Sequence, residues 1–180
     1  MYIAGIIGDS IVDGPGLRTT VFAQGCAHNC KACHNPETHV FNIGNVMSPE
    51  EIFSIVKKNP LCKGVTFSGG DPLYQSKEFA QLARLLKADG YEIACYTGFI
   101  WEELLSSKDE DQLNLLRNVD ILIDGPFILA ERTLSLRFRG SSNQRIIESR
   151  KSMVLYDESA GKIISPILSE QERWIGKKKK

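Results

Sequence analysis

The feature that most limits what this chain can fold into is a repeated order of segments, a short β-branched or apolar run, then a turn, then a helical stretch. Residues 18–24 (RTTVFAQ) read as a strand that runs straight into a group of cysteines. Ser48-Pro49-Glu50-Glu51 is a helix start, with Ser48 as cap, Pro49 in the first turn and Glu51 closing a capping box. Ile52, Ile55 and Val56 then give a helical apolar face that stops at Asn59-Pro60. Residues 65–67 form the next strand and end in Ser68-Gly69-Gly70-Asp71-Pro72. A helix follows from about Ser76, with Phe79, Leu82, Ala83 and Leu86 on one face and Gly90 at its end. Residues 91–96 are a third strand, ending at Thr97-Gly98. Residues 101–116 are helical but broken across 106–111 (SSKDED), and residues 119–123 are a buried strand closed by Asp124-Gly125-Pro126.

Strands joined in series through helices pair in parallel. The units are too few for a closed eight-stranded barrel, so the expected class is α/β, a partial, open parallel (β/α) barrel. Residues 152–156 and 162–167 are expected as terminal strands. In parallel βα proteins ligands bind at the carboxyl ends of the strands. The cysteine group, residues 68–72, Thr97-Gly98 and residues 124–126 should therefore converge on one rim.

At 180 residues the chain suits one domain, expected over 1–176, with the four lysines at 177–180 as a solvated, disordered basic tail. Lys+Arg and Asp+Glu are 22 each, and four of the cations are those last residues, so the rest of the chain is acidic overall. That balance disfavours a nucleic-acid partner. No apolar run reaches the roughly 18 residues of a membrane span. The opening MYIAGIIGDSIVDG has no basic leader and is interrupted by Asp9 and Asp13, so no signal peptide is expected. The expected compartment is a reducing cytoplasm, where cysteines are free, metal-bound or catalytic.

Of the five cysteines, Cys26, Cys30 and Cys33 fall within eight positions, spaced C-x3-C-x2-C. Structural zinc needs four closed ligands, and His28 or His34 could complete such a set. A [4Fe–4S] cluster held by three thiolates leaves one iron open to a substrate or cofactor. Spacing alone leaves both readings standing. Cys62 and Cys95 read as small buried hydrophobes.

The stretch Gly14-Pro15-Gly16-Leu17-Arg18, followed by Phe22, Gly25-Cys26, Cys30, Cys33 and Asn35, resembles the signature of the radical S-adenosylmethionine activating enzymes for glycyl-radical proteins. Gly69-Gly70-Asp71-Pro72 is similar to that family's glycine-rich methionine motif, with Asp71 where the wider family usually has Glu. Residues 124–127 (DGPF) and 139–145 (RGSSNQR) look like the branch acting on anaerobic ribonucleoside-triphosphate reductase. One departure is Ala32, at a position that often carries an aromatic residue against adenine.

The resemblance implies that Cys26, Cys30 and Cys33 hold three irons, and that Gly69, Gly70, Asp71, Thr97, Asp124 and Asn143 contact S-adenosylmethionine. It further implies a radical that abstracts hydrogen from a glycine of a partner enzyme, and a low-potential donor such as flavodoxin or ferredoxin. For Asp71 the competing reading is a helix cap. For Thr97 and Asp124 it is turn chemistry, and for Arg139 and Arg145, which flank Asn143, a solvated loop. Rival readings are a radical enzyme acting on a small molecule, as the 7-carboxy-7-deazaguanine synthases do, an activator of pyruvate formate-lyase, an electron carrier, and a zinc-stabilised binding module.

Overall fold

Helix starts and stops follow their local chemistry. In the computed structural model, which describes residues 1–169, Ser48 caps α1 (Pro49–Val56) by accepting from the Glu51 amide at 3.1 Å. The Glu51 carboxylate in turn accepts from the Ser48 amide at 2.7 Å, completing the capping box. α2 (Ser76–Ala88) buries Phe79, Leu82, Ala83 and Leu86, and the chain leaves it through Gly90 in the left-handed region. The break expected in the third helix is present. α3 (Trp101–Ser107) ends at Lys108 with φ 53°, and Asp109 caps α4 (Glu110–Asn118) by accepting from the Asp111 and Gln112 amides.

Seven strands form one mixed sheet: β1 (Tyr2–Ser10), β2 (Arg18–Ala23), β3 (Asn45–Val46), β4 (Gly64–Gly69), β5 (Glu92–Tyr96), β6 (Ile121–Asp124) and β7 (Arg145–Glu148). Their order is β3-β1-β2-β4-β5-β6-β7. β2, β4, β5 and β6 run parallel, with Val21 beside Phe67 and Phe67 beside Cys95. β1 joins β2, and β7 joins β6, antiparallel. The architecture is a mixed α/β open sheet whose antiparallel flanks confine the parallel set to four strands.

The helices cover one face, where Val21, Val65, Phe67, Ile93, Cys95, Leu122 and Ile147 meet them in the main core. Phe67 and Phe79 pack edge to face at 4.9 Å, and burying side chains of this size is worth about 1.5–3 kcal/mol each. Alternation turns Ala94, Ile121, Ile123 and Ile146 to the other face, where Tyr96 and Phe138 pack on them. No helix of the described residues is long and apolar enough to cross a membrane.

The end of the chain differs from the expectation. Residues 152–156 belong to a helix, α5 (Ser149–Glu158), because Ser149, Ser152, Met153 and Tyr156 are buried at i, i+3, i+4 and i+7. Residues 162–167 form no strand. Pro166 lacks the amide a ladder needs, and pairing shrinks to bonds from the Glu148 amide to the Ile167 carbonyl and from the Ser169 amide to the Ile146 carbonyl, around a bridge between Ile147 and Leu168. β1 escaped the sequence reading because Gly5 and Gly8 interrupt it and register shifts fall between Ile3 and Gly5 and between Ile7 and Ser10. The tail at 177–180 lies outside the described residues.

Candidate active site

Four parallel strands deliver their carboxyl ends to one rim, and backbone bonds join the turns that leave them. The Gly70 amide donates to the Ala23 carbonyl at 2.8 Å, Asp71 to Gly25 at 2.9 Å, and Gly125 to Phe99 at 2.9 Å. The glycines permit this contact. A Cβ on Gly70 would stand 2.4 Å from the Gly25 oxygen, and Gly69 holds φ 95° with the Ala23 oxygen 2.6 Å from where its Cβ would be. The Gly-Gly turn is thus packed against the entrance of the cysteine loop.

Cys26, Cys30 and Cys33 are free, half-buried thiols on that loop. Its course is set by two left-handed residues, Asn29 (φ 49°) and Ala32 (φ 59°), and by a bond from the Cys33 amide to the Cys30 carbonyl at 3.1 Å. The Asn35 amide donates to Cys33 Sγ at 3.4 Å. The Cys26 thiol is pushed up to about 11, chiefly by burial, with Asp71, Cys30 and Cys33 adding repulsion. Three thiols on one short loop beside a buried carboxylate are soft donors whose deprotonation a cationic metal group would favour, so their chemistry fits a metal centre. His28, one of the two histidines a zinc site would draw on, is committed elsewhere: its Nε2 lies 2.8 Å from Asp71 Oδ2. His34 lies against the Phe127 ring at 4.9 Å. Cys62 and Cys95 are fully buried, Cys95 in the main core, and burial pushes the Cys95 thiol up.

The remaining expected contacts stand at the expected strand ends, but most of their polar atoms are used within the protein. Asp71 caps the short turn after it, accepting from the Leu73 amide. Thr97 Oγ1 donates to Asp71 and accepts from the Phe99 amide. Asp124 accepts from the Trp101 amide and from Arg145, which also forks onto both oxygens of Glu102. That pairing holds the Glu102 carboxyl below its usual range and the Arg145 guanidinium above its own.

Asn143 is different. Its Nδ2 donates to the Pro126 carbonyl, while its Oδ1 is buried without a partner, as is Nε of Arg139 four residues before it. This segment reaches the residue after the third cysteine: a Cβ on Gly140 would touch Phe127 at 3.0 Å and His34 at 3.2 Å. An unpaired buried acceptor and donor beside the cysteine loop are the polar capacity that a bound polar ligand would satisfy.

Three polar residues matter more than sequence reasoning allowed. His28, which spacing offers only as a possible zinc ligand, is held by Asp71. Gln75 exchanges two bonds with the Tyr2 main chain and donates to the Gln24 carbonyl, fastening β1 to the rim. Gln24 donates to the carbonyls of Glu37 and Val40, folding residues 37–40 back under the loop. A Gln just after a buried strand was the one available signal, and it points only to a satisfied polar group.

Comparison with known proteins matches residues 12–147 to the family model described as a 4Fe-4S single cluster domain. The anaerobic ribonucleoside-triphosphate reductase-activating protein of Vibrio cholerae is 35% identical over 76% of this chain and 90% of its own length. Its namesake in Escherichia coli K12 is 33% identical over 74% and 90%, and that of enterobacteria phage T4 is 35% identical over 75% and 86%. The crystal structure of QueE from Escherichia coli overlays 53% of this chain and 52% of its own at TM-score 0.43 and 18% identity, too distant to bear on fold or chemistry. With a 4Fe-4S domain spanning the cysteine loop and the strand ends around it, and with relatives matched along about nine-tenths of their length, this chain belongs to the family of anaerobic ribonucleoside-triphosphate reductase-activating proteins.

Proposed function

We propose that this chain is the activating enzyme of an anaerobic ribonucleoside-triphosphate reductase, with Cys26, Cys30 and Cys33 as the protein ligands of a [4Fe–4S] cluster. The observation that carries the reading is the C-x3-C-x2-C loop, half-buried at the carboxyl rim of parallel strands, in a chain of this family. Held by Cys26, Cys30 and Cys33, the cluster would supply the electron for reductive cleavage of S-adenosylmethionine, whose 5′-deoxyadenosyl radical would take a hydrogen atom from a glycine of the reductase.

The protein's own task is to hold and to shield. The half-exposed backbone at Gly69 and Gly70 offers polar groups to the methionine end of the cofactor next to the loop. The unpaired Oδ1 of Asn143 and Nε of Arg139 offer an acceptor and a donor on the far side of His34. Ala32, exposed and left-handed, has no ring to lay against adenine, so adenine must find its apolar surface elsewhere. Fixing the cofactor against the loop removes the entropy of bringing the reactants together. A low-potential donor such as flavodoxin or ferredoxin, in the cytoplasm, would reduce the centre.

The test is anaerobic reconstitution with iron and sulfide, reduction, and addition of S-adenosylmethionine with and without the reductase. Release of 5′-deoxyadenosine and methionine, and a glycyl-radical doublet on the reductase, are expected. Cys30→Ala should lower cleavage to background, and Cys62→Ala and Cys95→Ala should keep it. Wild-type levels of cleavage by Cys30→Ala, or a wild-type protein that binds zinc and cleaves nothing, would overturn the proposal.

A further inference from the structure

We infer that His28 and Asp71 form a clamp that sets the shape of the cysteine loop ahead of cluster insertion, making Asp71 a positioning residue for the loop rather than a contact for the cofactor's methionine end. The inference deepens the proposed function and rests on its reading that Cys26, Cys30 and Cys33 hold the cluster.

The argument begins with the acceptor capacity of a carboxylate, about four lone-pair sites on two oxygens. Asp71 is 1% exposed. Its Oδ1 accepts from the Leu73 amide at 2.9 Å. Its Oδ2 takes the Thr97 hydroxyl at 2.8 Å, the Gly98 amide at 2.9 Å and His28 Nε2 at 2.8 Å. Oδ2 thus carries three donors and Oδ1 one, and a buried carboxylate persists only with such company. A ligand ammonium would have to reach the one remaining Oδ1 site in a place with almost no surface to enter by.

Three of the donors come from two other strand ends. Thr97 and Gly98 follow β5, and His28 belongs to the loop after β2, so one carboxylate after β4 gathers three neighbouring strands. His28 is the middle residue of the spacer between Cys26 and Cys30, and pinning it fixes the direction in which the chain leaves toward either thiol. The ring is held on its faces as well, edge-on to Phe99 at 4.6 Å and tilted to Tyr74 at 5.6 Å. Gly98 makes the room, since a Cβ there would stand 2.4 Å from the imidazole. Asp71 also grips the start of the loop through its own amide, which donates to Gly25 at 2.9 Å. Entry and midpoint are thus held by one residue. A loop ordered in advance spares cluster assembly the entropy of ordering it.

The experiment reconstitutes the wild type, His28→Phe, Asp71→Asn and the double variant anaerobically. It measures iron and sulfide per chain, the rate of cluster loss to a ferrous chelator, and the change that S-adenosylmethionine makes in the paramagnetic resonance spectrum of the reduced cluster. Both single variants should lose the cluster at least tenfold faster than wild type, the double variant no faster than Asp71→Asn. The cofactor concentration that half-saturates the spectral change should stay within twofold. A cluster as durable as wild type in Asp71→Asn, with a tenfold higher half-saturating concentration, would make Asp71 a methionine contact and overturn the clamp. His28→Phe keeps a ring in place on a half-buried loop and carries the test should Asp71→Asn not fold, and a wild-type rate of loss there would overturn the clamp too. Failure of the underlying reading looks different: the wild type would take up no cluster, or Cys30→Ala would take up as much.

Discussion

The two ends of the parallel strands treat buried charge differently. At the amino end Arg18, 1% exposed, uses all five of its N–H donors on the protein. Nε reaches Thr66 Oγ1 at 2.8 Å, Nη1 reaches the Pro15 carbonyl and Glu92 Oε1 at 2.9 Å each, and Nη2 reaches the carbonyls of Val65 and Glu92 at 3.0 and 3.1 Å. Gly14 and Gly64 press so close that a Cβ on either would stand 2.8 or 2.5 Å from the arginine. A groove near this end is concave, yet its Lys87, Arg117, Arg150 and Lys151 are each paired with a carboxylate among Asp120, Asp157 and Glu148. At the carboxyl rim Asp71 is as deeply buried as Arg18 and accepts four hydrogen bonds. Around it, however, lie three half-buried thiols and the unpaired Asn143 Oδ1 and Arg139 Nε. Concavity therefore does not mark the site; unsatisfied polar capacity does.

The sharpest way to break the comparison is Arg18→Met. It leaves three carbonyls, one buried and two part-buried, and a threonine hydroxyl short of a donor, and should lower unfolding free energy by about 3 kcal/mol in denaturant titration. The cluster content of the chains that remain folded should match wild type, because no atom of Arg18 touches the rim. A folded variant that takes up no cluster would tie the two ends together and dissolve the distinction.

A smaller effect is expected at the rim itself. Arg145 forks onto Glu102 and Asp124, and Lys cannot reproduce the fork. The pair is about a third exposed, so Arg145→Lys should cost about 1 kcal/mol. Its sign shows in acid. The hydrogen bond from Arg145 lowers the Glu102 carboxyl, so this stabilisation is present above the ordinary carboxylate range and is lost as pH falls through the lowered one. Wild type should therefore approach the variant in stability toward acid pH, as read from thermal midpoints. A constant gap at every pH would mean the fork is not what the substitution removes.

Much of this contrast was legible in sequence, unevenly. The signature from Gly14 to Asn35 spans both ends of β2: its first half packs around a structural arginine, its second half carries the thiols. Spacing placed the thiols because three cysteines in eight residues have few other uses, and β-branched and apolar content placed β2, β4, β5 and β6 because buried parallel strands are short apolar runs. What sequence could not give was partnership across 40 or more residues. His28 and Asp71 are 43 apart, and nothing local distinguishes a histidine locked to a buried carboxylate from one in water. Asp71, Thr97 and Asp124 were located correctly at strand ends, but whether a strand-end oxygen is spent or spare depends on donors that only the fold brings near. The error at residues 152–156 was of another kind. Four apolar and aromatic letters, residues 153–156, fit a strand until the serines at 149 and 152 are counted on the buried face.

A loss of stability placed away from both strand ends decides how the other effects are to be read. Ser48→Ala removes the cap of α1, on the helical face and apart from both strand ends, and should cost about 1 kcal/mol. That matches the loss expected for Arg145→Lys while touching nothing at the rim. If cluster retention in Ser48→Ala equals wild type, faster loss in a rim variant reports the rim and not a weaker fold, because equal destabilisation elsewhere has no such effect. If the cluster instead leaves Ser48→Ala several-fold faster, retention merely follows the global opening of the chain. The cysteine loop would then be no more privately held than any other turn on the sheet.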